Sequence, residues 1–246
     1  MVRGGCVDSA TDGAKPLNLR DSRASYQPPP GKPLQALDAI SRLQAENLHL
    51  WRGDRHVLKG VSFVVSSGEC LQIVGSNGAG KTSLLRTLSG LMYAEEGQVL
   101  WGGRSIREDL QGFHADLAYI GHEPPLKIDL TARENLRYWV GVRWPISGSE
   151  IDEVLARVGA SGWSERPVRT LSAGQKRRVA LAGLALMTVP LWLLDEPTTN
   201  LDKQGQSLVG TLIEEHLGRG GLVVAAIHHD LSVRATALRR LELQRE

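Results

Sequence analysis

Eight consecutive residues, Gly75-Ser76-Asn77-Gly78-Ala79-Gly80-Lys81-Thr82, constrain this chain more than any other stretch. They fit the pattern Gly-x-x-x-x-Gly-Lys-Thr without a gap. The run before them, Cys70-Leu71-Gln72-Ile73-Val74, is short and mostly apolar, as a buried parallel strand should be. Residues 83–90 carry leucines at helical spacing and end on Gly90. Strand, glycine turn and helix together predict an α/β phosphate cradle. The glycines let backbone N–H groups approach phosphate oxygens, and the helix start adds unpaired N–H groups. Lys81 suits the β- and γ-phosphates, the Thr82 hydroxyl suits Mg²⁺, and Ser83 completes the cradle.

The 246 residues, 41% of them hydrophobic, allow one large α/β domain or two small ones. A formal charge of +2 argues against a basic nucleic-acid surface, so no nucleic-acid partner is expected. Cys6 and Cys70 share no metal-ligand spacing, which argues against a zinc site or a disulfide and suits a reducing compartment. The longest apolar run, residues 184–194, is too short for a bilayer and contains Pro190. Residues 1–36, with Pro28-Pro29-Pro30-Gly31, read as a disordered extension without a secretory h-region. Arg3, Lys15, Arg20 and Arg23 hint at an organellar transit peptide; Asp8, Asp12 and Asp21 argue against one.

From about residue 37 the chain reads as folded. Strands are expected over residues 40–50, 56–65, 96–101 and 117–121. Residues 131–186 are mostly helical in pattern. Thr131-Ala132-Arg133-Glu134 has the form of a capping box, and residues 150–158 form an amphipathic segment stopped at Gly159. Residues 191–195 and 222–227 return to buried-strand character. The expected architecture is a P-loop core with an antiparallel β part on its N-terminal side and a helical insertion over about residues 125–180.

Two later motifs narrow the chemistry. Leu171-Ser172-Ala173-Gly174-Gln175 precedes a helix expected to begin at Lys176-Arg177-Arg178, and Leu191-Trp192-Leu193-Leu194-Asp195-Glu196 is an apolar strand ending in two carboxylates. Asp195 can hold Mg²⁺, and Glu196 can polarise an attacking water. Taken alone, the pentapeptide reads more readily as an ordinary Ser N-cap with a glycine, and the acid pair as a solvated strand end. In this order behind the P-loop, the motifs resemble those of ATP-binding cassette (ABC) ATPases over about residues 40–231.

That resemblance implies an ATP- and Mg²⁺-dependent ATPase. Lys81, Glu196 and a switch histidine would act on the γ-phosphate and water. Ser172, Ala173, Gly174 and Gln175 would complete the site of a second copy of the chain. Trp51 takes the place of the aromatic that stacks adenine, with core packing as the alternative. Thr199-Asn200-Leu201-Asp202 resembles the loop that crosses the dimer seam. The switch histidine is expected to be His229, because His229-Asp230 matches the usual wording, with His228 second on strand-end register. Glu123 stands where the family carries a glutamine. It keeps an oxygen for Mg²⁺ but loses the amide donor.

Gly121-His122, Leu126-Lys127, Leu130 to Leu136 and Leu171 to Ala182 further resemble the ATP-binding subunits of the cytochrome c maturation (haem-exporter) system. The resemblance implies an integral membrane permease as partner, contacted by residues 122–130. It places the protein peripherally on the cytoplasmic face of the inner membrane, or alternatively at an organelle inner membrane. The sequence has no Cys-x-x-Cys-His and no evident haem pocket of its own. Export of another substrate, or a soluble ABC-like ATPase, are the rival readings.

Overall fold

The computed structural model describes residues 42–228, 233 and 238–244. Strands β1 (Arg42–Arg52), β2 (Arg55–Ser66), β4 (Glu96–Trp101) and the short β5 (Arg104–Ser105) form an antiparallel sheet in the order β2-β1-β4-β5. Strands β3 (Cys70–Val74), β6 (Leu117–Ile120), β7 (Leu191–Asp195), β8 (Leu222–Ala226) and β9 (Leu238–Glu242) form a second sheet in the order β6-β7-β8-β3-β9, and every pairing in it is parallel. The helices are α1 (Lys81–Leu88), α2 (Leu110–Ala115), α3 (Ala132–Gly141), α4 (Gly148–Arg157), α5 (Ala173–Leu186) and α6 (Lys203–Gly218). The expected mixed fold, a P-loop core with an antiparallel part and a helical part, is the one observed.

The central parallel strands are apolar because both faces are buried. Leu71, Ile73, Leu191, Leu193, Leu222 and Val224 point to one side, where they pack with Leu84, Leu85 and Leu88 of α1 and Leu43, Leu48 and Leu58 of the antiparallel sheet. Cys70, Trp192, Leu194, Val223 and Ala225 point to the other side and pack against α3, α4, α5 and α6 through Leu136, Val154, Val179 and Leu212. Burial pushes the Cys70 thiol up to about 12, which keeps it a protonated core residue. Cys6 lies outside the described residues.

Several expected boundaries move, each for a local reason. The P-loop helix begins at Lys81, not after Thr82, because Gly80 takes a left-handed φ of 101° and serves as N-cap. The signature helix begins at Ala173, not Lys176. Ser172 accepts from the Gln175 N–H while Gln175 accepts from the Ser172 N–H, a reciprocal cap that starts the helix inside the motif. The Thr131–Glu134 box is present at α3, and a second box, Ser147 with Glu150, begins α4 at Gly148. The first strand continues through Trp51, so this residue lies within β1 rather than after it. Residues 1–41, including the expected extension and the start of that strand, lie outside the described residues.

Candidate active site

The parallel strands deliver the site residues at their C-terminal ends. After β3 the chain turns through Gly75, Gly78 and Gly80, at φ 149°, 77° and 101°. At Gly78 a Cβ would have ample room, so the left-handed backbone is the reason for glycine there. At Gly75 a Cβ would press on the Leu243 carbonyl oxygen, so this turn is also packed against the chain leaving β9. Gly80 offers no side-chain cap, which leaves the first N–H groups of α1 for an anion. Lys81 is buried, and its Nζ donates to Gly75 O (2.7 Å) and Ser76 O (3.3 Å). From β2, Arg55 Nη2 donates to Gly78 O at 2.7 Å and braces the turn.

Asp195 ends β7 in full burial. Burial raises its pKa, a hydrogen bond from the Thr82 hydroxyl lowers it, and the charge of Glu196 raises it again; the net shift is upward. Its Oδ2 is buried without a hydrogen-bond partner. A buried carboxylate oxygen left bare beside a hydroxyl suits a hard divalent cation, so the residues present fit Mg²⁺.

Glu196 sits at φ 49°, a left-handed conformation uncommon for a non-glycine residue. Its N–H donates to Ala226 O (2.9 Å), and Thr199 N–H donates back to its carbonyl (3.1 Å). These bonds hold the backbone in the unusual region. The carboxylate lies between three groups. His228 Nε2 is 2.6 Å from Oε1, the Thr199 hydroxyl donates to Oε2 at 3.1 Å, and His122 Nδ1 is 3.8 Å from Oε2. Burial pushes its pKa up, but the Thr199 bond and the His228 and His122 contacts outweigh burial and set it below the ordinary range. The two adjacent acids are thus driven apart, Asp195 upward and Glu196 downward.

The remaining expected residues fall in several places. His229 lies outside the described residues; its neighbour His228 contacts Glu196. Glu123 is exposed, and His122, one residue earlier, is the member of that loop that reaches the carboxylate. Only the register of the loop on β6 distinguishes the two, so residue type gives no signal. Ser172 and Ala173 stand exposed at the start of α5. A Cβ on Gly174 would lie 2.6 Å from Asn200 O, so the signature and the loop after Glu196 touch directly. Asp202 caps α6 through Gly205 N–H (2.8 Å) and pairs with Arg178 Nη2 (2.7 Å). Trp51 is half-buried, and His56 stacks on it at 3.9 Å and 6°.

Arg177 departs from its expected place. The Lys176-Arg177-Arg178 run reads as a basic turn, yet the Arg177 side chain is buried. It donates to Gly121 O (3.0 Å) and His122 O (2.7 Å). Helical period was the available signal. Arg177 shares a face of α5 with Ala180, Leu181 and Leu184, all of them buried.

Fold and site are those of an ABC-type ATP-binding subunit: residues 58–199 match the ABC transporter family. Among solved structures, an ATP-binding subunit of an ABC transporter is similar at TM-score 0.69 and 26% identity, covering 76% of this chain and 80% of that one. CbiO1 from Clostridium perfringens, part of the ABC transporter complex cbiONQ, is similar at TM-score 0.64 and 28% identity, over 79% and 81%. The cytochrome c biogenesis ATP-binding export protein CcmA of Yersinia pestis bv. Antiqua (strain Nepal516) is 46% identical over 81% of this chain and 91% of its own length. The protein of that name from Methylococcus capsulatus is 48% identical over 78% and 93%. The one from Vibrio cholerae serotype O1 is 43% identical over 82% and 98%. The chain belongs to the ABC transporter ATP-binding family, in its CcmA group.

Proposed function

We infer that this chain is the ATP-hydrolysing subunit of a membrane transporter complex that serves cytochrome c biogenesis. The observation that carries the hydrolytic part is Glu196, placed directly after a buried Asp195 and gripped by His228 at 2.6 Å. The cytochrome part is supported by relatives at 43–48% identity that carry that name.

Lys81 and the N–H groups at the start of α1 hold the phosphate tail. Thr82 and Asp195 hold Mg²⁺, which neutralises phosphoryl charge when bound. Glu196 is the general base: it accepts a proton from the attacking water, and its lowered pKa keeps it ionised to do so. His228, rather than His229, fills the switch position, because it holds one oxygen of that base. Trp51, half-buried and stacked with His56 and His49, is the aromatic for adenine on this reading. The exposed Ser172 and Ala173, with Gly174, serve the nucleotide of a second copy, so that two chains enclose two ATP molecules.

Among the described residues no helix is long and apolar enough to cross a membrane. In the proposed complex the work passes to a separate integral membrane subunit, with this chain peripheral to it on the cytoplasmic face of the inner membrane. Residues 122–130 are the contact, and Ile128 presents an exposed apolar side chain there. Deleting the gene and staining for covalently bound haem tests the reading. Loss of c-type cytochromes, restored by the wild-type gene and not by E196Q, is the expected result; normal cytochromes in the deletion would overturn the assignment. Purification from detergent extract should bring down an integral membrane protein with the chain.

A further inference from the structure

We propose that His122 is a positioning residue for Glu196, and that buried Arg177 holds it in place and ties it to the signature helix. This rests on the reading of Glu196 as the base. A carboxylate that must take a proton from one water needs a fixed orientation, since misplacement by an ångström costs orders of magnitude in rate. Oε1 is held by His228, and Oε2 by Thr199. A further approach to Oε2 is taken by His122 Nδ1 at 3.8 Å, close enough to become a hydrogen bond with a small movement of the loop.

What sets that distance is the backbone of residues 121 and 122. A guanidinium buried to 2% exposure is costly unless its N–H groups are used. Arg177 uses two of them on Gly121 O and His122 O. The far end of the same loop is tied to the segment leading into α5: Val168 N–H donates to Leu130 O (2.9 Å) and Arg169 N–H to Ile128 O (2.8 Å). Asn135, itself buried, closes the loop internally, accepting from Lys127 N–H and donating to Lys127 O and Thr131 O. The loop thus moves with α5, whose first residues form the signature. Displacement of α5 by a second copy's nucleotide is carried through Arg177 to His122 and so to the catalytic carboxylate.

The test uses the full-length chain with the variants H122A, H122N, R177K and E196Q, each checked by thermal melting. H122A should lower kcat roughly tenfold with KM for ATP within about twofold, a split that lost binding would not give. H122N should recover most of that loss, because its amide nitrogen can stand where Nδ1 stands. R177K should lower kcat similarly, raise amide hydrogen exchange across residues 121–130, and leave the affinity for a fluorescent ATP analogue unchanged. The double variant H122A/R177K should be no slower than the slower single variant. Turnover of H122A equal to wild type, with E196Q inactive, would overturn this proposal and leave the base assignment standing. H122N no better than H122A would do the same. Unchanged turnover in E196Q would instead bring down the base assignment itself. If R177K fails to fold, the two His122 variants decide the matter.

Discussion

The phosphate cradle and the hydrolytic cluster lie side by side at the ends of the same parallel strands, yet they are built in opposite ways. The cradle is one contiguous turn: Gly75 to Thr82 carry the left-handed backbone, the helix start and the lysine in eight residues. The cluster is assembled from five separate segments. Thr82 comes from α1, Asp195 and Glu196 from the end of β7, Thr199 from the loop beyond it, His228 from the chain after β8, and His122 from the loop after β6. The backbone of the cradle is therefore largely a local property of the chain. The cluster proposed for hydrolysis depends on how the strands and α5 sit relative to each other.

Perturbing each region separately should expose that difference. The largest effect is expected for E196Q, which keeps the shape and removes the base: turnover should fall by about 10²-fold or more while ATP still binds, and an ATP-bound dimer should accumulate on size exclusion. A variant that hydrolyses normally would remove Glu196 from the cluster. K81A strikes the cradle instead and should weaken nucleotide binding by about 10- to 100-fold, as loss of charge-assisted bonds does. Titration of a fluorescent ATP analogue checks it, and an unchanged affinity would place the phosphates elsewhere.

Next comes the choice of histidine. H228A should reduce kcat about tenfold or more at nearly constant KM, and H229A by much less. The reverse order would mean that the strand-end register assigned to the switch is wrong. G174A probes the contact between the signature and the Asn200 carbonyl. A Cβ at 2.6 Å forces one to shift, which should cost about 1–3 kcal/mol of stability by thermal or urea unfolding.

A last effect lies away from both regions and touches stability, not turnover. His216 is fully buried, stacks on Trp192 at 3.9 Å, and lies 3.2 Å from Pro190 O through its Nε2. Burial, with the charge of Arg219, lowers its pKa from 6.5 to about 3. The unfolded chain then binds the extra proton first, so stability held above pH 6.5 falls as the pH drops toward 3, by up to about 1.4 kcal/mol per pH unit. H216F should flatten that part of the melting-temperature curve without changing turnover at about pH 7.5.

Legibility follows the same division. The capping box at Thr131, the stop at Gly159 and the strand Leu191–Asp195 are readable because each depends on neighbours a few residues away. The start of α5 falls three residues before the expected one, because Ser172 and Gln175 form the reciprocal cap of the helix. Arg177 reads as a surface charge, since its burial depends on a loop more than fifty residues earlier.

The sequence by itself determined the α/β class, the cradle and the acid pair at a strand end, since periodicity, glycine backbone freedom and adjacency are local. Only the tertiary structure decided that His228 meets Glu196, that His122 and not Glu123 approaches it, and that Arg177 belongs to the interior. Those outcomes depend on strand register and on the distance between segments remote in the chain, and a register shift of one residue turns a side chain from one face to the other.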